Sequence, residues 1–255
     1  MSSLKTTAII IVHGAYFLPS AWDAFNDQLS QRGFTVLYPR LPTCSDLRPP
    51  RALLADDVAA VRAAATELIA ANHKILILAH SYGGIVASEA ITPDLYIGAS
   101  KTLSKGISSI IYISPWLVPP GSSVPSVIEK YGFQCQVDLG VNEDGTVFAK
   151  NAPDSFYNDI PAEKAESLAK DNVTHNYGAA MGEMTHAPWK DIPCMYVHCL
   201  KDLAIMMGLQ KSMVKDVLES GGQLVTKEMD SGHCPFLSRA NELIDLVVSV
   251  AEDSP

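Results

Sequence analysis

Short runs of consecutive apolar residues alternate along the chain with longer segments whose apolar positions recur every three or four residues. Thr7 to Val12 is a β-branched run that predicts a first strand, and Phe34 to Tyr38 predicts a second. Between them Ser20 is placed to cap a helix with Trp22, Phe25 and Leu29 on its apolar face, and Gly33 stops it. A loop with four prolines runs from Pro39 to Pro50. An alanine-rich helix over Asp56–Ala71 and a strand over Lys74–Ala79 follow, then a helix reaching about Ile91 and a strand over Gly106–Ser114. The alternation then pauses. From Trp116 to about Pro188 there are prolines and short helical pieces such as Ala162–Lys170, but no regular strand–helix rhythm. It resumes with a strand at Pro193–Cys199, a helix at Ile205–Ser220, a strand at Gln223–Met229 and a closing helix at Pro235–Ala251. The stripe of that last helix is Leu243, Leu246, Val247 and Val250. Repeated strand–helix units predict an α/β fold with a mainly parallel sheet of about six strands flanked by helices. The core is expected over residues 1–115 and 189–255, with residues 116–188 as an inserted cap.

One junction in this pattern is chemically suggestive. The buried-strand run Ile75 to Ala79 leads into His80-Ser81-Tyr82-Gly83-Gly84, and residues that can continue as a helix come next. A serine at so sharp a turn is held out beyond the carboxyl end of the sheet. Its neighbours must be small, which Ala79 and Gly83 are. The helix directs its free N–H groups and the positive end of its dipole at the serine, where negative charge on a substrate oxygen would be stabilised. A dinucleotide-binding turn also joins strand to helix through glycines, but it requires G-x-G-x-x-G, and only Gly83 and Gly84 are present. The plain alternative is a strand–loop–helix connection whose serine merely caps the helix.

A serine nucleophile needs a base and a group to orient the base. In a parallel α/β sheet these come from loops after the strands. Asp202 follows the fifth predicted strand and His233 the sixth. Asp202 could instead cap a helix, and Asp230 is a second carboxylate, though close to His233 in sequence. The other histidines are placed less well. His80 adjoins the serine and must point elsewhere, His73 lies at the wrong end of the sheet, His198 is within a strand, and His175 and His186 fall in the cap. Two backbone N–H groups are needed for an oxyanion. Tyr82 is expected to supply one and Ala15, in the loop after the first strand, the other. Aromatic and methionine side chains of the cap and its edges would line an apolar pocket over Ser81, with Tyr16, Trp116 and Met181 as candidates.

Composition narrows the partners. The chain has 255 residues and a net charge of −9, with no Lys/Arg-rich run, which argues against nucleic acid and anionic membranes. No apolar stretch approaches the ~18 residues of a membrane span. The apolar run Ala8 to Val12 is too short for a signal-peptide core with its cleavage site and reads better as the first strand. The five cysteines are scattered and odd in number, so reduced thiols in the cytoplasm are expected. No clustered His/Cys/Asp set suggests a metal, a small molecule is the expected partner, and the choice between monomer and homodimer is open.

Taken together, Val12-His13-Gly14-Ala15 with Trp22, His80 to Gly84, Cys199 to Ile205 with Gln210, and Gly232-His233 with Phe236-Leu237-Ser238 resemble the α/β-hydrolase superfamily over nearly the whole chain. The serine turn is similar to its G-x-S-x-G elbow, with Ala79 in place of the first glycine, and the order Ser81, Asp202, His233 is that superfamily's order. Within it the sequence looks most like the plant methylesterase and hydroxynitrile lyase group and its microbial relatives. The resemblance implies the α/β-hydrolase fold, a cofactor-independent ester hydrolase, and Ser81, Asp202 and His233 as its triad. The cyanohydrin-cleaving members carry a threonine after the first strand and a lysine after the catalytic histidine, where this chain has Gly14 and Cys234. The expectation is therefore a serine esterase acting on a small apolar ester, lactone or thioester. Two alternatives remain: a lyase or carbon–carbon bond enzyme using His233 as base, and a ligand-binding relative without turnover.

Overall fold

A computed structural model describes residues 6–97, 105–133 and 136–253. The N-terminal residues 1–5 and Cys135, both of which entered the sequence reading, lie outside them. The chain opens with β1 (Thr7–Val12), a 3-10 turn at Pro19–Trp22, α1 (Asp23–Gln31) and β2 (Thr35–Leu37). Next come α2 (Leu54–Ala70), β3 (Lys74–His80), α3 (Gly83–Ala90) and β4 (Gly106–Ile113). The excursion that follows holds α4 (Val124–Tyr131), the strands β5 (Leu139–Val141) and β6 (Val147–Ala149), α5 (Ala152–Ser155) and α6 (Ala162–Ala169). The main sheet resumes with β7 (Cys194–Cys199), α7 (Met207–Glu219), β8 (Val225–Met229), α8 (Pro235–Ser238) and α9 (Ala240–Asp253).

Six strands form one sheet in the order β2-β1-β3-β4-β7-β8, and every pairing in it is parallel. β1 and β3 run through its middle, buried on both faces, which is why they read as continuous apolar runs rather than alternating ones. Their side chains still divide by parity. Ala8, Ile10 and Val12 join Val61, Ala65 and Ile85 of α2 and α3 on one face. Ile9 and Ile11 join Phe25 and Leu29 of α1 and Leu243 and Val247 of α9 on the other. Each fully buried aliphatic side chain contributes roughly 1.5–3 kcal/mol, so the layers on the two faces clamp the central strands. The carboxyl ends of those strands are thereby held still.

Three local expectations are corrected. The closing helix is two helices, broken at Arg239, whose backbone (φ −131°, ψ 36°) leaves the helical region. Leu243, Ile244, Val247 and Ala251 are its fully buried positions, a stripe rotated from the expected one. The helix after Asp202 begins at Met207 rather than Ile205, because the Asp202 carboxylate takes the N–H groups of Ala204 and Ile205 and shapes them into a turn. Lastly, the excursion contains an antiparallel hairpin, β5–β6, turning at Gly145 (φ +80°). Its strands are only three residues long, too short to leave a period of two in the sequence.

Candidate active site

The carboxyl ends of β1, β3 and β4 carry three non-glycine residues at positive φ: Tyr16 at 70°, Ser81 at 54° and Ser114 at 36°. Such values are uncommon for L-residues, and their concentration at one rim of a sheet marks strain held by the surroundings. At Ser81 the surroundings are explicit. Its N–H donates to Ile113 at 3.2 Å, and its carbonyl accepts from Gly84 at 2.9 Å and Trp116 at 2.9 Å. The turn also needs a bare backbone at Gly83, where a Cβ would run into the carbonyl of Val12. Ser81 is 8% exposed and lines a cavity of about 100 Å³.

Asp202 and His233 meet in a buried hydrogen bond. His233 Nδ1 and Asp202 Oδ2 are 2.7 Å apart, both side chains almost wholly buried. Asp202 is further held by the Ser114 hydroxyl, which donates to the same oxygen, and by N–H groups of Ala204 at 2.7 Å and Ile205 at 2.9 Å on Oδ1. A carboxylate so surrounded by donors accepts from Nδ1–H and leaves Nε2 as the acceptor. Nε2 is buried and has no partner among the described residues, so no hydrogen bond joins it to Ser81 in this structure. Hydrogen bonds of this kind are often formed only once substrate is seated. Asp230, the second carboxylate, instead pairs at the surface with Lys201 at 2.8 Å.

His80, the residue before the serine, is turned away from the cavity. Its Nε2–H donates to the backbone carbonyl of His233 at 2.8 Å, which ties the His233 loop to the end of the strand that carries Ser81. Burial, with the neighbouring His233 ring next, drives its pKa well below the usual 6.5. His13 is likewise neutral. It accepts from the Leu41 N–H at 3.1 Å, so its other nitrogen donates to the Gly14 carbonyl at 2.9 Å, and burial lowers its pKa to about 4. A peptide N–H points opposite its C=O, so this bond turns the Ala15 N–H away from His13. Ala15 and Tyr82 both line the cavity. The Tyr82 hydroxyl donates to buried Asp57 at 2.7 Å, and Thr43 donates to the same carboxylate through Oγ1 at 2.6 Å and N–H at 3.0 Å.

Of the expected pocket residues, Tyr16 and Trp116 line the cavity and Met181 does not. Met181 is 52% exposed: the short turn at Tyr177–Ala180 presents Ala180 to the cavity and sends the next side chain outward. Phe156, one of the aromatic side chains of that region, also lines the wall, together with residues given no pocket role: Ile128 of α4, Leu139 of β5 and His175. The Phe156 ring also lies 5.5 Å from that of His233. Cys44, Cys194, Cys199 and Cys234 are buried and unpaired. Among the described residues no cluster of three or more His, Cys, Asp or Glu is arranged to hold a metal ion, and no helix is long and apolar enough to cross a membrane.

A family model described as the alpha/beta hydrolase family matches residues 9–246. The chain belongs to that family. As an α/β hydrolase it is 26% identical over 249 residues to the probable hydrolase R7 of Phoma sp., covering 95% of this chain and 97% of that protein. Its fold is similar to that of polyneuridine aldehyde esterase, with a TM-score of 0.70 at 19% identity over 96% of this chain and 99% of the other. It is similar also to tomato methylketone synthase I complexed with 2-tridecanone, with a TM-score of 0.75 at 20% identity over 98% and 99%. Both likenesses are of fold.

Proposed function

We propose that this α/β hydrolase is a serine esterase that cleaves a small, largely apolar carboxylic ester, lactone or thioester through an acyl-enzyme. The observations that carry the reading are the buried Asp202–His233 pair, at 2.7 Å, and a serine held at positive φ on the cavity wall. In this scheme His233 Nε2 takes the Ser81 proton as Oγ attacks the carbonyl carbon. The N–H groups of Ala15 and Tyr82 hold the oxyanion, and the leaving alcohol or thiol departs with the proton from His233. Water, deprotonated by the same nitrogen, then attacks the acyl-enzyme and frees Ser81. Asp202 keeps the imidazole in the required tautomer and balances the charge it gains.

The test is Ser81→Ala against a panel of p-nitrophenyl esters, lactones and thioesters. The variant is expected to lose roughly 10⁴–10⁶ in kcat; wild-type rates in the variant would remove Ser81 as nucleophile.

A second reading is a lyase or carbon–carbon bond enzyme in which His233 acts on the substrate directly. Its support is that His233 Nε2 has no partner among the described residues and so is open to a proton from the substrate itself. Rapid quench and mass spectrometry with the preferred substrate separate the two: an acyl adduct on Ser81 supports the esterase, and turnover without one supports the lyase.

A further inference from the structure

His175 is the unusual group in the cavity wall. Its backbone is fixed, exchanging N–H and C=O with Val147 of β6 at 2.9 Å in each direction. Its ring is 1% exposed and wedged edge-on between two tyrosines, 4.5 Å from the Tyr82 ring and 5.8 Å from that of Tyr16. The side chain lines the same cavity as Ser81. Neither ring nitrogen has a hydrogen-bond partner among the described residues. Burial, reinforced by nearby His13, lowers its pKa to about 3, so at neutral pH it presents one N–H donor and one lone pair.

Buried polar groups in folded proteins are nearly always paired, and those left unpaired call for a reason. A contact of the imidazole edge with the Tyr82 face would satisfy a donor only weakly and would leave the acceptor unmet. Phenylalanine would fill the same slot between the tyrosines with no polar atom to desolvate. A polar group this costly, set in a wall built from Ile128, Leu139, Phe156 and Trp116, has the form of a recognition point waiting for a complementary atom. Sites that bury a hydrogen-bonding group discriminate strongly against ligands that cannot meet it, because the group is then left unpaired.

We propose that His175 determines specificity by hydrogen bonding to the substrate, and that the preferred ester carries a hydroxyl or keto oxygen away from the scissile carbonyl on an otherwise apolar frame. This rests on the ester-hydrolase reading of the site. His175 is a binding residue here: the proton transfers belong to His233.

The experiment compares methyl hexanoate with its 3-, 4- and 5-hydroxy and oxo derivatives, in the wild-type protein and in His175→Phe and His175→Gln. In the wild type at least one oxygenated ester is expected to exceed the parent by tenfold or more in kcat/KM. In His175→Phe that ratio should fall to about one, chiefly through KM, and His175→Gln, which keeps a donor and an acceptor, should restore part of it. Equal kcat/KM across the series in the wild type overturns the proposal, and so does a ratio that survives in His175→Phe. Calorimetric titration of Ser81→Ala with the same esters separates this from the catalytic reading. If the wild type cleaves none of them, esterase activity on this series fails, yet tighter binding of an oxygenated ester, abolished in Ser81→Ala/His175→Phe, still supports the role of His175. Equal binding of all members refutes it.

Discussion

Asp159, in the excursion between β4 and β7, accepts a hydrogen bond from the backbone N–H of Gly232, the residue before His233, at 2.7 Å. Its neighbour Asn158 donates to the carbonyl of Lys201, the residue before Asp202, at 2.9 Å. Two adjacent residues of the excursion thus grip the loops of the proposed acid and base.

The grip has a measurable consequence. A hydrogen bond to a carboxylate contributes about 1.5–3 kcal/mol, and its loss frees the loop that aims the imidazole. Asp159→Ala is expected to lower kcat by roughly 10–100-fold, a misplacement penalty of the kind seen when a positioning contact is removed. KM should change little, since Asp159 does not line the cavity. The check is a kcat and KM pair for the preferred ester, with circular dichroism to establish that the fold is retained. A pure rise in KM would contradict the positioning role.

A second prediction concerns the oxygen that His233 uses. Asp202 Oδ2 serves both the imidazole and the Ser114 hydroxyl. Asp202→Asn puts an amide where the carboxylate was, favours the wrong tautomer of His233 and should reduce kcat by about 10⁴. Ser114→Ala leaves the carboxylate but removes one of its donors, so the loss should be smaller, about tenfold. Single-turnover rates at neutral pH order the variants. Ser114→Ala falling as far as Asp202→Asn would mean that the serine, not the aspartate, controls the imidazole.

Much of this arrangement was legible in the sequence. The central strands declared themselves because burial on both faces demands unbroken apolar runs, as at Ile9-Ile10-Ile11 and Ile75 to Leu78. Ser81 stood out because it sits just beyond such a run. Asp202 and His233 stood out because each follows a later strand of the alternation, although β8 before His233 is mostly exposed and not an unbroken apolar run. The holding contacts were not legible. Ser114, Asp159 and Asn158 act through single hydrogen bonds across dozens of residues of chain, and such contacts leave no local pattern. His175 was set aside for lying in the cap, and only its burial beside the cavity with both nitrogens unpartnered distinguishes it. The β5–β6 hairpin was too short to show a period, and Met181 was placed at the pocket on residue type alone.

The Tyr82–Asp57 hydrogen bond predicts an effect on stability. Asp57 has no exposed surface, and burial raises its carboxyl above the ordinary range despite donors from Thr43 and Tyr82. Removing the phenolic O–H leaves Asp57 Oδ2 with Thr43 Oγ1 alone. Tyr82→Phe should cost about 1.5–3 kcal/mol, the worth of a hydrogen bond to a carboxylate. At ~2–4 °C per kcal/mol for a chain of this size, thermal melting should fall by several degrees. The backbone N–H proposed for the oxyanion is untouched, so kcat should fall much less than in Ser81→Ala. A melting point equal to wild type would show that Asp57 finds another donor.

Acid should loosen the fold before it protonates the buried histidines. His13, His80 and His175 all have native pKa values below the ordinary 6.5, at about 4 for His13 and about 3 for His175, with burial as the largest cause in each. The unfolded chain takes up protons at these sites below pH 6.5, whereas the native chain does not until its own lower values are reached. The unfolded state therefore binds more protons through that window, and stability falls as pH falls. At about 1.4 kcal/mol per pH unit for each group, reached fully only below the unfolded pKa, lowering the pH from 6.5 to 5 costs about 1.6 kcal/mol each for His13 and His175, and His80 adds in the same direction. The contribution of His13 stops growing below about pH 4, where both states are protonated. Asp57, with its carboxyl raised by burial, works in the opposite sense. Urea unfolding at pH 7.5, 6.5 and 5 reads it directly: the midpoint should hold nearly steady over the first interval and drop sharply over the second. Equal midpoints at pH 6.5 and 5 would show that these rings are already charged in the native protein, or that they lie within reach of solvent.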